Sequence, residues 1–142
     1  MMANEKEQGA MMELQRKYME FQIIGQQVGK IREQLQQIDQ QLVELDNVRE
    51  SLEELKEVRE GADLYVPMSS GIFLRAKAGD TGKVVLNVGA SVAVEKTVAE
   101  AQQLISDQME QAGNVREQML ANLNKFLEKA KELQAELEKL VK

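Results

Sequence analysis

Residues 64–76 read Leu64-Tyr65-Val66-Pro67-Met68-Ser69-Ser70-Gly71-Ile72-Phe73-Leu74-Arg75-Ala76, and their period decides the fold. Ile72, Leu74 and Ala76 fall on one face of an extended strand, and Phe73, Arg75 and Lys77 fall on the other. Leu64, Tyr65 and Val66 ahead of Pro67 supply a short preceding strand, and Ser69-Ser70-Gly71 is the turn between them. The alternation then repeats. Val84, Leu86 and Val88 share one face, and a fourth run sets Ala90, Val92 and Val94 against Ser91, Ala93 and Glu95. Gly79-Asp80-Thr81-Gly82 and Gly89 punctuate these runs. Four short strands in roughly 34 residues cannot enclose a core, because isolated hairpins are marginal in water. They are expected to pair with strands of other chains.

Outward from this segment the period changes from two to three and four. Leu14, Phe21, Val28, Leu35 and Leu42 form one seven-residue series, and Ile24, Ile31, Ile38, Leu45 and Leu52 form another, which together make a heptad seam. Beyond Leu45 the stripe slips by one position and continues through Val48, Leu52 and Leu55. Gly61 is the expected stop. On the other side, Thr97 and Glu100 have capping-box spacing. A second seam follows through Val98, Ala101, Ile105, Ala112, Val115, Met119, Leu123, Phe126, Ala130, Leu133, Leu137 and Leu140.

The expected organisation is a single domain spanning 1–142, with a helix over about 10–61, a strand segment over about 63–96 and a helix over about 97–141. The helices match in length, at ~75 and ~68 Å. Folding back at the strands makes an antiparallel pair in which Phe21 faces Leu137 and Lys142 lies opposite a residue near 16. Met1 to Gln15 are then left without a partner, so surplus apolar surface collects at that end.

Composition bounds the chemistry. The chain has 142 residues with a net charge of −6, no histidine and no cysteine, and only 4% aromatic residues. Disulfides, cysteine-ligated metals and every mechanism that needs histidine or a thiol are excluded. The acid lies on the outer segments and no basic cluster interrupts it, so nucleic acid is not an expected partner. No apolar run approaches the ~18 residues that span a bilayer, and the first residues lack a signal-peptide core, so no membrane is expected and the location is read as cytoplasmic. Glu53, Glu54 and Glu57 read as a solvated face, and Gly79 to Gly82 lacks the lysine of a phosphate loop.

The stretch 64–76, with Val84-Val85-Leu86-Asn87-Val88-Gly89-Ala90 and Val94-Glu95-Lys96-Thr97, resembles the strand signature of the prefoldins. Two hairpins rather than one resemble the alpha-type subunit. The resemblance implies an α+β fold, a long antiparallel two-helix coiled coil whose two central hairpins join an intersubunit β-barrel. It implies a hexamer of two alpha-type and four beta-type subunits with six projecting arms. It further implies an ATP-independent chaperone, without cofactor or catalytic residues, that holds non-native proteins at the arm tips and delivers them to a group II chaperonin. A filament-forming prefoldin scaffold is the alternative.

On this reading Met11, Met12, Leu14, Tyr18, Leu133, Leu137, Leu140 and Val141 are the candidate client-binding residues. Ile72, Leu74, Val84, Leu86, Val88, Val92 and Val94 are the candidate oligomerisation residues. Each set has a plainer reading beside it. Met1, Met2, Met11, Met12 and Met19 are either adaptable thioethers for varied client surfaces or initiator, chain end and packing residues. Leu133, Leu137, Leu140 and Val141 keep heptad spacing and so serve first as seam residues. Gly25, Gly29 and Gly113 mark soft points in the helices or, as the preferred reading, places where small residues let the helices approach closely.

Overall fold

The structure is a computed structural model that describes residues 2–87 and 89–141, with side chains from residue 4 onward. Helix α1 (Met2–Leu55) is followed by strands β1 (Asp63–Ser69), β2 (Ile72–Lys77), β3 (Lys83–Asn87) and β4 (Ala93–Thr97), then helix α2 (Val98–Val141). Contacts divide the chain into two compact units. One comprises Met1–Gln40 with Gly113–Lys142, the other Gln41–Ala112.

In the first unit the two helices run antiparallel around a narrow seam. Ile24, Val28 and Leu133 are buried, with Phe21, Leu123, Phe126, Leu127 and Ala130 packed against them. Ile31 and Leu35 continue the buried row on α1, as the heptad spacing predicts. Burial of each such side chain contributes about 1.5–3 kcal/mol. An ion pair links Asp39 to Arg116 at 2.7 Å, and this fixes the register. The symmetric fold-back expected residue 119 opposite Asp39, so the pairing is displaced by about three residues. Phe21 therefore packs near Leu133 rather than Leu137.

In the second unit Leu45, Leu52, Ala101 and Ile105 form the core, and Val84, Leu86 and Met109 pack against it. Leu45 and Leu52 are one heptad apart, while Val48 stays 41% exposed. The seam therefore runs straight through the position where the sequence suggested a slip. Gln102 donates to Glu53 at 2.9 Å, which ties α2 to α1. Lys56 pairs with the same carboxylate at 3.1 Å, and these two donors hold Glu53 below the usual carboxylate range, Lys56 contributing most.

Helix α1 starts and ends earlier than the expected bounds of 10 and 61. Residues 56–58 continue in 3-residue turns, their amides donating to Glu53, Glu54 and Leu55. Glu53 and Glu54 stand in the last turn, which contains no basic residue of its own, and acid there weakens it. Gly61, at φ +83°, works further on. Its amide donates to the Ala78 carbonyl at 2.7 Å and closes the base of the first hairpin.

Strands β1 and β2 pair antiparallel, with Leu64 opposite Ala76 and Val66 opposite Leu74. Ser70 and Gly71 both have positive φ, the two-residue turn whose twist suits a hairpin. Register shifts between Pro67 and Ser69, leaving Met68 as the extra residue of a bulge. Strands β3 and β4 form a second hairpin in which Leu86 faces Val94. The fourth strand begins at Ala93, later than the alternation suggested. Gly89, Ala90 and Ser91 all have positive φ, and Val92 donates to the Gly89 carbonyl at 2.9 Å, so Val92 belongs to the turn. Val88 lies outside the described residues.

Strand β4 passes directly into α2 through the predicted capping box. The Glu100 amide donates to Thr97 Oγ1 at 3.1 Å, and Thr97 returns its amide at 3.4 Å and its hydroxyl at 3.0 Å to Glu100 Oε1. These bonds hold the Glu100 carboxyl below its usual range, the Thr97 hydroxyl foremost. The helical glycines give a different result. A Cβ on Gly25, Gly29 or Gly113 meets no atom within 4 Å, so the helices make no close approach there.

Candidate functional site

Two surfaces stand out, one in each unit. The first lies where α2 reaches Val141. Leu14, Gln15, Tyr18 and Met19 of α1 and Gln134, Leu137, Glu138 and Val141 of α2 line an open groove of about 820 Å³. Leu14 with Tyr18, Gln15 with Met19, and Leu137 with Val141 are each four residues apart, so each pair shares a helix face. The walls are predominantly apolar. Tyr18 is 55% and Val141 76% exposed, which leaves apolar surface that neither helix covers. Residues 4–13 of α1, beyond the groove, are exposed throughout.

An ionic clip borders this groove. Lys17 lies 3.0 Å from Glu136 across the helix pair and 3.3 Å from Glu13 on its own helix. Hydrogen bonding to Glu136, reinforced by Glu13 and opposed by desolvation, raises the Lys17 ammonium above its usual range. The clip links the two helices beside the groove.

The structure sorts the predicted tip residues into three groups. Leu14, Tyr18, Leu137 and Val141 come together in the groove. Met11, Met12 and Leu140 are exposed outside it, Met12 beside Gly9, Glu13 and Arg16 in a smaller cleft. Leu133 is corrected: at 6% exposure it packs against Ile24 and Val28 and offers no surface. Gln15, Met19, Gln134 and Glu138 complete the lining and are missing from the predicted set, because only the register between the helices brings them together.

The second surface is the first hairpin. Val66, Ile72 and Leu74 project from one face and Tyr65 and Phe73 from the other, all well exposed. Tyr65 and Phe73 flank an open hollow, with the Arg75 guanidinium 5.9 Å from the Tyr65 ring centre. Both faces of this two-stranded sheet are uncovered. The second hairpin differs. Val84 and Leu86 turn inward onto the helices of their own chain, leaving Val85 71% exposed on the outer face. Of the strand residues predicted at subunit contacts, Ile72 and Leu74 are therefore available, whereas Val84 and Leu86 are engaged within the chain and Val94 is half-buried opposite Leu86.

Among the described residues no helix is long and apolar enough to cross a membrane. Gly82 donates to Asp80 Oδ1 at 2.9 Å, which makes the Gly79 to Gly82 loop a side-chain-stabilised turn.

A pair of long antiparallel helices joined by two small hairpins defines a coiled-coil protein of the prefoldin type. The prefoldin subunit family model matches residues 24–142, and the chain belongs to the prefoldin family. It is 32% identical over 129 residues to prefoldin subunit alpha of Methanococcus aeolicus, covering 91% of this chain and 88% of that protein. It is 30% identical over 127 residues to prefoldin subunit alpha of Methanococcus vannielii, covering 89% and 85%. Its fold is similar to that of a chain in the cryo-EM structure of a filamentous prefoldin from Methanocaldococcus jannaschii, with a TM-score of 0.72 and 24% identity over 82% of this chain and 96% of that one. Prefoldins are chaperones rather than enzymes, and membership supports a chaperone role.

Proposed function

We propose that this chain is the alpha-type subunit of an ATP-independent chaperone that holds non-native proteins in the groove between Leu14, Tyr18, Met19, Leu137 and Val141. The observation that carries the reading is that groove: a wide, apolar, open surface built largely from flexible or amphipathic side chains. Such a surface suits weak capture of many apolar segments, and several copies in one assembly multiply the retention. No ATP-dependent step is needed to open it.

Assembly rests on the first hairpin. Its uncovered apolar faces and unpaired strand edges call for another subunit. Pro67 and the Met68 bulge blunt β1, so β2 (Ile72–Lys77) is the edge suited to accept a further strand. Two alpha-type subunits with four beta-type partners, joined in a barrel body, would satisfy these edges, and the complex would pass its cargo to a group II chaperonin in the cytoplasm. The experiment is aggregation of a thermally unfolded client with the chain, a beta-type partner and no nucleotide. Suppression that Tyr18→Ser with Val141→Ser reduces several-fold, the oligomer remaining intact by native mass, is the expected result. Equal suppression by that variant would remove the groove from the account.

A second reading, a structural filament, keeps the same parts, and it is favoured by the likeness to a chain from a filamentous prefoldin. Electron microscopy of the purified chain separates the two, since long polymers indicate a scaffold and small closed particles the chaperone.

A further inference from the structure

Among the apolar side chains of the groove wall, Leu14, Tyr18, Leu137 and Val141 are hydrocarbon or aromatic and Met19 alone carries a thioether. Met19 is 62% exposed, and Met11 and Met12, about two helical turns away, are 62% and 71% exposed. Met12 and Met19 are one heptad apart, so they share a face of α1. The methionines of α2 are placed differently. Met109 and Met119 are half-buried, and Met109 packs against the core of Leu45, Leu52, Ala101 and Ile105. On the helices, exposure thus separates Met19 in the groove and Met11 and Met12 beyond it from the methionines that the fold protects, while Met68 in the first hairpin is also exposed, at 66%.

The structure assigns Met19 as a reversible oxidation site that switches off the apolar groove, with Met11 and Met12, exposed outside it, oxidising alongside. This rests on the client-binding reading above for its consequence, but not for its chemistry. The oxidant is a peroxide. A sulfur lone pair attacks the nearer peroxide oxygen, forming the S–O bond while the O–O bond breaks. The departing oxygen takes the electron pair and the proton and leaves as water or alcohol, so sulfur is oxidised by two electrons and the peroxide reduced by two. The product is a sulfoxide, polar and pyramidal, in place of an apolar thioether. At Met19 that dipole stands in the wall between Gln15 and Tyr18, where an apolar client segment would have to desolvate it, and unpaired polar burial opposes binding. The change is undone by methionine sulfoxide reductases.

The test uses the full chain in a Met68→Leu background, so that the hairpin contributes nothing to the response. Dilute hydrogen peroxide is added, and mass mapping follows the gain of about 16 Da per sulfoxide. Met11, Met12 and Met19 should oxidise several-fold faster than Met109 and Met119. Binding of an apolar fluorescent dye and suppression of client aggregation should both fall by at least half, and reductase should restore both. In Met11→Leu with Met12→Leu and Met19→Leu, the same treatment should leave both at that variant's own untreated level. Dye binding unchanged when Met19 is fully oxidised would overturn the proposal, as would equal oxidation rates at Met109 and Met119. A chain that holds no client even before treatment defeats the capture reading instead, and dye binding with mass mapping still decides the oxidation site.

Discussion

Lys17 and Glu136, from opposite ends of the chain, meet at 3.0 Å beside the groove. Glu136 raises the lysine above its usual range, so this contact stabilises the folded state below that range and is lost as pH rises through the folded value. Glu53 and Glu100 are held low, so their contributions are present above the carboxylate range and disappear as pH falls through their folded values. The thermal midpoint should therefore be flat near neutrality and decline at both extremes. In Lys17→Met the alkaline decline should shrink; a profile identical to that of the parent chain would show that the clip contributes nothing.

Leu86 packs on the helix core of its own chain, while Leu74 is 55% exposed. Leu86→Lys should lower the stability of the isolated subunit by about 2 kcal/mol, since it places a charge against apolar side chains. Leu74→Lys should change subunit stability by less than about 0.5 kcal/mol and instead reduce assembly with partner subunits. Denaturant unfolding and native mass, run on both variants, distinguish the two roles, and the reverse pattern would contradict the assignment of the faces.

Gly25 and Gly29 lie in α1 with open space where a Cβ would stand. Replacing either by alanine should stabilise the helix by up to about 1 kcal/mol, read as a rise in the thermal midpoint. Destabilisation by Gly25→Ala would mean that the helices approach there after all. If the glycines serve bending around a client, the double variant gains stability and captures less.

Thr97 closes the junction between β4 and α2 through its exchange of hydrogen bonds with Glu100. Thr97→Ala should cost about 1 kcal/mol, whereas Thr97→Ser should restore most of it. Equal stability of all three chains in urea would dismiss the cap.

Much of this architecture is written in residue spacing. The heptads of Ile24, Ile31, Leu45 and Leu52, the Thr97 and Glu100 pair and the Ser70-Gly71 turn are local patterns whose physical causes lie within a few residues, and the structure contains each of them. What lay beyond reach was relative placement. Alternation tells that Val84 and Leu86 share a face but not what covers that face, which within the chain is the core of Leu45 and Ala101. Heptads name the seam without setting the register between helices, so spacing alone sets Phe21 opposite Leu137 and leaves Leu133 open, whereas the structure packs Phe21 and Leu133 at Ile24 and Val28. Met19 joins the groove only once that register is known. Alternation extends the fourth strand to Val92, but three consecutive positive φ values from Gly89 to Ser91 delay strand pairing until Ala93.

The most direct test of the account places a photoreactive side chain at Gln15, in the groove, and separately at Gln27, exposed on α1 outside it. Each assembled complex is irradiated with an unfolded client in the absence of nucleotide. The account predicts a covalent client adduct from the Gln15 position and little or none from the Gln27 position. Equal adducts from both positions, or adducts from Gln27 alone, would contradict it.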